Sequence, residues 1–328
     1  MRSVFTAGLV VLNLSFSTSP LLAGQIAAVA GEPTEVRTLF VGQDSPARRQ
    51  ASAWRRSRPH EASLMDFLAE QPVAYWFDGT DESVYESVQT VVRAAAKHAS
   101  IPVLVAYNIP ERDCGGYSAG GARSEADYIA WVTSFANAIG SNRVILILEP
   151  DALADTRCLS PNAESLRLSL LSQAITIFKQ DNATASVYID AGNPHWVAAD
   201  EMATRLQRVG IQHADGFALN VSNFETTKDN IEYGTKISQL LDGKHFVIDT
   251  SRNGLGSNGD WCNPPGRAVG ERPTLSTGHP LVDAFLWVKV PGESDGTCHG
   301  GPKAGAWWPK YALGLVERAF GVGDLRRP

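Results

Sequence analysis

Residues 144–153 read Val-Ile-Leu-Ile-Leu-Glu-Pro-Asp-Ala-Leu, and this stretch contains the pattern that decides the fold. Five apolar residues are followed at once by Glu149 and Asp151, which is typical of a fully buried strand that ends in a polar loop. Apolar runs of strand length occur seven times in the chain. The predicted strands are Val73–Phe77, Val103–Ile109, Val144–Leu148, Ser186–Ile189, Gly216–Val221, His245–Asp249 and Ala284–Val290.

Longer amphipathic stretches separate these runs and predict helices. Ser124 with Asp127 resembles a capping box, and Ser160 before Pro161 is an N-cap followed by proline at the first helical position. The predicted helices are Pro46–Arg56 and residues 82–99, 124–139, 161–180, 197–209, 226–241 and 309–320. Alternating strands and helices predict an α/β fold with a parallel sheet covered on both faces. Seven such units favour a closed or nearly closed barrel, and a doubly wound open sheet is the alternative.

Polar side chains follow almost every predicted strand, at the end where the active site of an α/β barrel is built. They are Asp78; Asn108, Glu111, Arg112 and Asp113; Glu149 and Asp151; Asp190; Asn220; Asp249 and Arg252; and Lys289, Glu293 and Asp295. A single aspartate in such a position is often only a helix N-cap. Carboxylates and amides at so many strand ends predict a functional cluster.

Carboxylates without metal-ligand histidines favour acid/base catalysis, and glycoside hydrolysis needs two such groups. Burial or a neighbouring carboxylate would keep the acid protonated near neutral pH. The sequence lacks a GxSxG nucleophile elbow, an HExxH zinc site and a Walker loop. We therefore expect no metal and no cofactor. The net charge of −6 argues against nucleic acid as a partner, because neutralising phosphates needs a basic face.

The amino terminus predicts export. Arg2 precedes a broken apolar run, Ala7 to Ala23, that suits a cleaved signal peptide within residues 1–30 better than a membrane anchor. Residues 31–328 then form a single catalytic domain without a carbohydrate-binding module, and we expect a secreted protein with no membrane contact after cleavage. In an oxidising compartment the four cysteines (Cys114, Cys158, Cys262 and Cys298) predict two disulfides, for which three pairings are possible.

Six segments together resemble glycoside hydrolase family 6, the inverting endoglucanases and cellobiohydrolases. They occur in the family's order: Val105-Ala-Tyr-Asn-Ile-Pro-Glu-Arg-Asp-Cys114, Leu148-Glu-Pro-Asp-Ala-Leu153, Tyr188-Ile-Asp-Ala-Gly192, Asp249-Thr-Ser-Arg-Asn-Gly254, Trp261-Cys-Asn-Pro264 and Trp287-Val-Lys-Val-Pro-Gly-Glu-Ser-Asp-Gly296. The resemblance spans about residues 38 to 322 and implies a distorted, TIM-like seven-stranded parallel β/α barrel. It also implies the disulfides Cys114–Cys158 and Cys262–Cys298.

The resemblance implies roles for three aspartates. Asp151, in the Glu-Pro-Asp segment, would be the general acid. Asp113 would raise the pKa of Asp151 and relay a proton through water, and Asp295 would be the base. The family's fungal members carry a serine a little beyond the Arg-Asp-Cys segment, and here Ser118 is displaced from that position.

The remaining site residues are expected to bind substrate. The resemblance implies that Tyr107 presses a sugar ring toward a distorted shape and that Lys289 and Glu293 bind hydroxyls near the scissile bond. The other predicted contacts are Trp196 and Trp261, as sugar-stacking platforms, with Asp190 and Asn220. Asp249 and Arg252 are interpreted as a structural ion pair beside the site.

These residues predict a monomeric enzyme whose partner is a β-1,4-glucan chain, cleaved with inversion. Chain length favours an endo-acting form, because tunnel-forming exo enzymes need longer loops over the site. A cellobiohydrolase of the same family and a catalytically inactive polysaccharide-binding protein on the same scaffold are the alternatives. The inactive protein would have lost an acid, whereas Asp113 and Asp151 are both present.

Overall fold

The computed structural model describes residues 38–180 and 183–321, together with Met1 and Val4. Apart from those two residues, the predicted signal peptide lies outside the described part of the chain. None of the described helices is both long and apolar enough to cross a bilayer.

Seven parallel strands form the main sheet, and two short strands pair beside it. The strands are β1 (Thr38–Leu39), β2 (Tyr75–Phe77), β3 (Ser100–Ile101), β4 (Val103–Ala106), β5 (Val144–Leu148), β6 (Ala185–Asp190), β7 (Gly216–Leu219), β8 (His245–Asp249) and β9 (Val282–Leu286). The order in the main sheet is β2-β4-β5-β6-β7-β8-β9, and every neighbouring pair is parallel. All seven predicted strands are therefore present and adjacent in chain order.

Helices follow the strands and cover the outside of the sheet. They are α1 (Pro46–Trp54), α2 (Pro59–Ala69), α3 (Val84–Lys97), α4 (Glu125–Ile139), α5 (Pro161–Gln180), α6 (Ala199–Arg208), α7 (Thr227–Leu240) and α8 (Pro309–Gly321). The predicted caps are confirmed. Ser124 Oγ accepts a hydrogen bond from the Asp127 N–H at 3.1 Å, and Ser160 Oγ accepts one from the Ala163 N–H at 3.3 Å.

The sheet curls until its first and last strands approach each other. Inward-facing side chains from all seven strands or their ends meet in one cluster, which includes Ala74 beside β2 and Leu286 at the end of β9. The Ala74 N–H donates to the Trp287 carbonyl at 3.0 Å, although β2 and β9 share no ladder. An open doubly wound sheet would keep its edge strands apart. The predicted distorted barrel is confirmed.

The junction between the first and last strands is covered by a separate apolar cluster. Side chains of α1, α2 and α8 pack there around Trp287, which is almost fully buried. The α1 helix begins at Pro46, and its cap Ser45 accepts a hydrogen bond from the Arg48 N–H at 3.2 Å. The amino-terminal helices thus substitute for the missing ladder and hold the barrel closed.

Candidate active site

Several strands are shorter than the sequence predicts, and at the ends of β4 and β9 carboxylates capture the backbone N–H groups that would have extended the strand. β4 ends at Ala106, where the N–H groups of Asn108 and Ile109 donate to the Glu149 carboxylate at 3.0 Å. β9 ends at Leu286, and the N–H groups of Val288 and Lys289 donate to Asp249 at 3.2 and 3.0 Å.

Asp190 also accepts backbone N–H groups at a strand end, beside the predicted acid Asp151. Its Oδ1 accepts hydrogen bonds from the N–H groups of Asp151, at 2.9 Å, and Gly192, at 3.2 Å. Asp190 Oδ2 is buried and has no partner among the described residues. Burial, and to a lesser degree the charge of Asp249, raises the pKa of Asp190 to about 7. Buried carboxylates that accept backbone N–H groups thus fix the loops at three of the strand ends.

Asp151 differs from these three residues because its carboxyl group accepts no hydrogen bond from any described residue. Partial burial raises its pKa well above the usual aspartate range, and the negative charges of Asp190, Asp113 and Asp155 raise it further. The positive charge of Lys289 opposes them and is the weakest of these influences. A free carboxyl group that holds its proton near neutral pH has the property that a general acid needs.

Asp113 lies in the loop after β4, half-buried, and is oriented by the residues that follow it. Its Oδ2 accepts a hydrogen bond from the Ser118 N–H at 2.6 Å. Burial raises the pKa of Asp113, the Ser118 hydrogen bond lowers it, and the charge of Asp155 raises it again, with a net increase. The displaced Ser118 therefore contributes a backbone donor that orients the Asp113 carboxylate.

The surroundings of Asp295 lower its pKa, in contrast to those of Asp151 and Asp113. Arg252 Nη1 donates to both carboxylate oxygens at 2.9 and 2.7 Å, and the Asn263 N–H donates to Oδ2 at 2.9 Å. Lys289 Nζ lies 3.6 Å from Oδ1. Burial alone would raise the pKa of Asp295, but the charges of Arg252 and Lys289 and these hydrogen bonds outweigh it and lower the pKa. Asp295 is therefore a carboxylate at neutral pH and a weak proton acceptor.

Tyr107 lies at the top of the barrel interior, between the acid and the first strand. Its ring packs edge-on against Trp76, with 5.3 Å between ring centroids, and the Arg112 guanidinium lies 4.6 Å from its centroid. The charges of Asp151 and Asp113 add to burial in raising the pKa of the Tyr107 hydroxyl, which puts that hydroxyl within electrostatic reach of both. The structure therefore brings Tyr107 beside the carboxylates, as predicted.

Lys289 and Glu293 join the site from the loop after β9. The charge of Lys289 lowers the pKa of Glu293, whereas burial, the largest influence, raises it. Both side chains are only partly buried. They keep polar atoms at the surface beside Asp295, where a sugar hydroxyl could reach them.

Trp196 and Trp261 differ strongly in exposure. Trp196 follows β6 and packs partly on the main core, whereas 57% of Trp261 is exposed. The Trp261 ring contacts the ring of Tyr117, with 6.1 Å between centroids at a tilt of 48°. An exposed aromatic pair beside the segments that carry Asp113 and Asp295 offers flat apolar faces to a ligand.

Both predicted disulfides are confirmed. Cys114 pairs with Cys158, joining the loops after β4 and β5, and Cys262 pairs with Cys298, joining the loops after β8 and β9. Cys114 directly follows Asp113 in the sequence, and Cys262 directly follows Trp261. The two disulfides therefore anchor the loops that carry Asp113, the predicted relay residue, and the exposed Trp261.

The loops after β4 and β5 are held together by a buried cation as well as by a disulfide. Arg167, on α5, donates to the carbonyl groups of Asp155 at 2.9 Å, Glu111 at 2.8 Å and Pro110 at 3.2 Å. Arginine suits this position because its planar fork presents several donors at once. The arrangement fixes Asp155, whose charge raises the pKa of both Asp113 and Asp151.

Two predictions about single residues need correction. Asn220 is fully buried, its Nδ2 donates to the Asp249 carbonyl at 2.8 Å, and its Oδ1 accepts the Glu225 N–H at 3.0 Å. Because no polar group of its side chain is left for a sugar, Asn220 is a positioning residue. Arg252 is paired with Asp295 instead of Asp249, whose oxygens are occupied by backbone N–H groups.

Several residues of the site were missed by reasoning from the sequence. Asn263 directly follows Cys262 and Asp155 lies three residues before Cys158, so the cysteines of the two disulfides were the available signal for them. Tyr117 had only the neighbouring glycines as a signal. Arg167 had none, since it lies within a regular helix.

Backbone strain concentrates at the same place. Non-glycine residues with left-handed φ include Asp113 (58°), Glu149 (48°), Asp151 (69°), Asn220 (66°) and Asn263 (47°). Such conformations are costly, and they persist where the surroundings determine the geometry, as at functional sites. Within the described chain, no group of three or more His, Cys, Asp or Glu side chains is arranged to hold a metal ion.

Comparison with known proteins agrees with this geometry. The sequence profile of glycosyl hydrolases family 6 matches residues 34–319. Endoglucanase A of Cellulomonas fimi is 44% identical over 84% of this chain, which spans 60% of that protein's length. Endoglucanase 1 of Streptomyces halstedii is 39% identical over 94% of this chain and 96% of its own length. Cellobiohydrolase C of Aspergillus niger, named as probable, is 30% identical over 76% of this chain.

A solved structure has the same fold. It is the endoglucanase Cel6 from Mycobacterium tuberculosis in complex with methyl-cellobiosyl-4-deoxy-4-thio-β-D-cellobioside, and it matches with a TM-score of 0.82 at 43% identity. The match covers 87% of this chain and 98% of that one. On the family profile, these relatives and the carboxylate site, the chain belongs to glycosyl hydrolases family 6.

Proposed function

We propose that this protein is an endo-acting β-1,4-glucanase that cleaves cellulose or related β-glucans with inversion. The observation that carries the proposal is a pair of carboxyl groups in opposite surroundings: no described residue donates a hydrogen bond to the Asp151 carboxyl group, and its pKa is raised, whereas Asp295 is paired with Arg252 and its pKa is lowered. Glycoside hydrolysis uses such a division, with one group donating a proton and negative charge nearby. The relatives named endoglucanases, at 39–44% identity, support the same substrate class.

In this proposal the Asp151 proton moves to the oxygen of the leaving sugar as the bond from that oxygen to C1 breaks. A water molecule attacks C1 from the opposite face of the ring, which inverts the configuration. The proton that this water loses passes to Asp295 or, through a second water, to Asp113. The directions of the pKa shifts favour Asp113 as the final acceptor, because its pKa is raised and that of Asp295 is lowered.

The exposure of the aromatic residues supports an open cleft and endo action. Trp261 is 57% exposed and Tyr117 is 49% exposed, whereas a tunnel roofed by loops would cover its sugar platforms. A cleft admits the middle of a chain and a tunnel admits its end. This observation favours an endoglucanase over the cellobiohydrolase alternative.

The test is hydrolysis of carboxymethyl cellulose, followed by viscosity and by new reducing ends, for the wild type and Asp151→Asn. An endo-acting enzyme lowers the viscosity early, when few reducing ends have formed, and the variant should do neither. Reducing ends that accumulate at nearly constant viscosity would instead indicate a cellobiohydrolase. Binding without any cleavage would indicate an inactive polysaccharide-binding protein.

We also propose that the enzyme is exported with cleavage inside residues 1–30 and works as a monomer without membrane contact. The oxidised state of both disulfides supports export. Amino-terminal sequencing of protein from the culture medium, with gel filtration, tests both statements. An intact Met1 on secreted protein, or elution as a dimer, would contradict them.

A further inference from the structure

Tyr117 is an exposed aromatic residue that the mechanism above does not use. Among the described residues, four large aromatic side chains are exposed: Tyr85, Tyr117, Trp261 and Phe320. Only Tyr117 and Trp261 of these four contact each other. Exposing neighbouring apolar rings to water is unfavourable in free energy, and a ligand that covers the rings would remove that cost.

The position of Tyr117 joins it to the catalytic loops on both sides. Its ring lies against Gly296, where an added Cβ would come within 2.4 Å of the Tyr117 Cγ and Cδ2 atoms. Gly296 directly follows Asp295, and Ser118, which directly follows Tyr117, donates its N–H to Asp113. The tyrosine therefore lies between the segments that carry two of the site's carboxylates.

The loop that carries Tyr117 is held in this position by bonds on both sides of it. Arg112 Nε donates to the Ser118 carbonyl at 2.9 Å, and an antiparallel bridge joins Arg112 to Gly120. The Cys114–Cys158 disulfide fixes the loop's first turn. The loss of freedom on binding is smaller for a ring that is already positioned.

We propose that Tyr117 and Trp261 act together as one aromatic surface that binds a glucosyl unit of the β-glucan, so that Tyr117 contributes to affinity for the glucan chain. The inference rests on the proposed function and adds a binding residue to the same site. The C–H faces of a pyranose pack on aromatic rings, and the phenol hydroxyl can exchange a hydrogen bond with a sugar hydroxyl. The surface is continuous with the carboxylates through Gly296, which is why a bound glucan is its occupant.

The experiment is calorimetric titration of cellohexaose into proteins that carry Asp151→Asn, which prevents hydrolysis. Adding Tyr117→Ala should weaken binding by about tenfold, the order expected for one partly exposed aromatic contact. Tyr117→Phe keeps the ring and should remain within about threefold of the parent. Tyr117→Ala together with Trp261→Ala should lose less affinity than the product of the two single effects, because one sugar spans both rings.

The matched control is Leu240→Ala, which removes a 50%-exposed apolar side chain. Leu240 ends α7, just before β8 begins, so it lies at the opposite end of the barrel and its removal should not change the dissociation constant. A Tyr117→Ala dissociation constant within about twofold of the parent would overturn the inference. So would unchanged affinity together with a shifted pH dependence of kcat/KM for Tyr117→Ala in the protein that retains Asp151, because that would mean Tyr117 only orders the Asp113 loop.

The two proposals fail in different ways. If the wild type cleaves carboxymethyl cellulose but Tyr117→Ala binds cellohexaose like the parent, the inference fails and the proposed function stands. If the wild type leaves the polymer intact while cellohexaose binding depends on Tyr117, the proposed activity fails and the aromatic surface stands.

Discussion

The loops after β5 and β9 each carry an aspartate at the carboxyl end of the barrel, and their surroundings act on the two residues in opposite ways. The carboxyl group of Asp151, after β5, accepts no hydrogen bond from the described residues, and burial and neighbouring negative charges raise its pKa. Asp295 after β9 receives Arg252, Lys289 and a backbone N–H, so its pKa is lowered. The same residue type therefore has a raised pKa in one loop and a lowered pKa in the other, and the surroundings decide which.

A third group of carboxylates positions the loops at the strand ends. Glu149, Asp190 and Asp249 are almost fully buried and accept backbone N–H groups at their strand ends. They position the loops, and the charge of Asp190 also raises the pKa of Asp151. The Asp151 carboxyl group differs from them because no described residue donates a hydrogen bond to its oxygens.

The largest expected effect is on catalysis at the β5 end. Asp151→Asn removes the proton donor, and kcat on carboxymethyl cellulose should fall by about a thousandfold, within the range found for general acids. The affinity for cellohexaose, measured by calorimetry, should stay close to that of the wild type. If the variant retained more than about a tenth of kcat, proton donation by Asp151 would be ruled out.

The next effect is on stability and has opposite signs at the two ends. Asp295→Asn leaves Arg252 buried without its charged partner, and the free energy of unfolding at pH 7 should fall by about 3 kcal/mol. Asp151→Asn should raise the free energy of unfolding at pH 7. A carboxyl group whose pKa is higher in the folded state than in the unfolded state destabilises the folded protein once the pH rises through the unfolded pKa, and the substitution removes this effect. Urea unfolding at pH 7 measures both changes.

The pH dependence of these stability differences is a further check. Asp295 has a lowered pKa in the folded state, so its contribution is present above the unfolded pKa and disappears as the pH falls through the folded one. Asp151 is neutral in both states at sufficiently low pH, so the advantage of Asp151→Asn should disappear there. If the free energy of unfolding at pH 7 changed in the same direction in both variants, this would contradict the assigned protonation states.

The smallest effect is a displacement of the pH profile along the pH axis, which is separate from the loss of rate expected on removing the proposed proton acceptor Asp113. Asp113→Asn removes a negative charge that raises the pKa of Asp151. The limb at which activity is lost with rising pH should therefore move to lower pH, since the acid deprotonates earlier. The kcat/KM profile of the variant measures this shift, with Leu240→Ala as a control at the opposite end of the barrel. A limb that stays in place would remove Asp113 from the tuning of Asp151.

Much of the fold could be predicted from the sequence, because buried parallel strands are continuous apolar runs and each run here is bounded by polar residues. The ends of β4 and β9 could not be predicted. The residues that follow them are apolar enough to extend a strand, and only the folded protein shows that Glu149 and Asp249 take their N–H groups.

For the site, the sequence identified the residue types that gather at the strand ends but could not sort them by task. Asn220 and Asp151 both follow a buried strand and both have a left-handed backbone φ. The Asn220 side chain is hydrogen-bonded through both of its polar groups, whereas the Asp151 carboxyl group accepts no hydrogen bond from the described residues. Pairing is decided across the barrel, as Arg252 shows by reaching Asp295 instead of nearby Asp249. Such contacts join segments some 40 residues apart and leave no local pattern.

The most direct test of the account is to observe the protonation of the two aspartates themselves. Carbon-13 NMR of protein labelled at the aspartate carboxyl carbons, with Asp151→Asn and Asp295→Asn to assign the signals, gives the pKa of each residue. The account predicts that Asp151 titrates well above the ordinary aspartate range and Asp295 below it. An Asp151 signal that titrates at or below the ordinary value near 4, together with a protonated Asp295 at neutral pH, would contradict it.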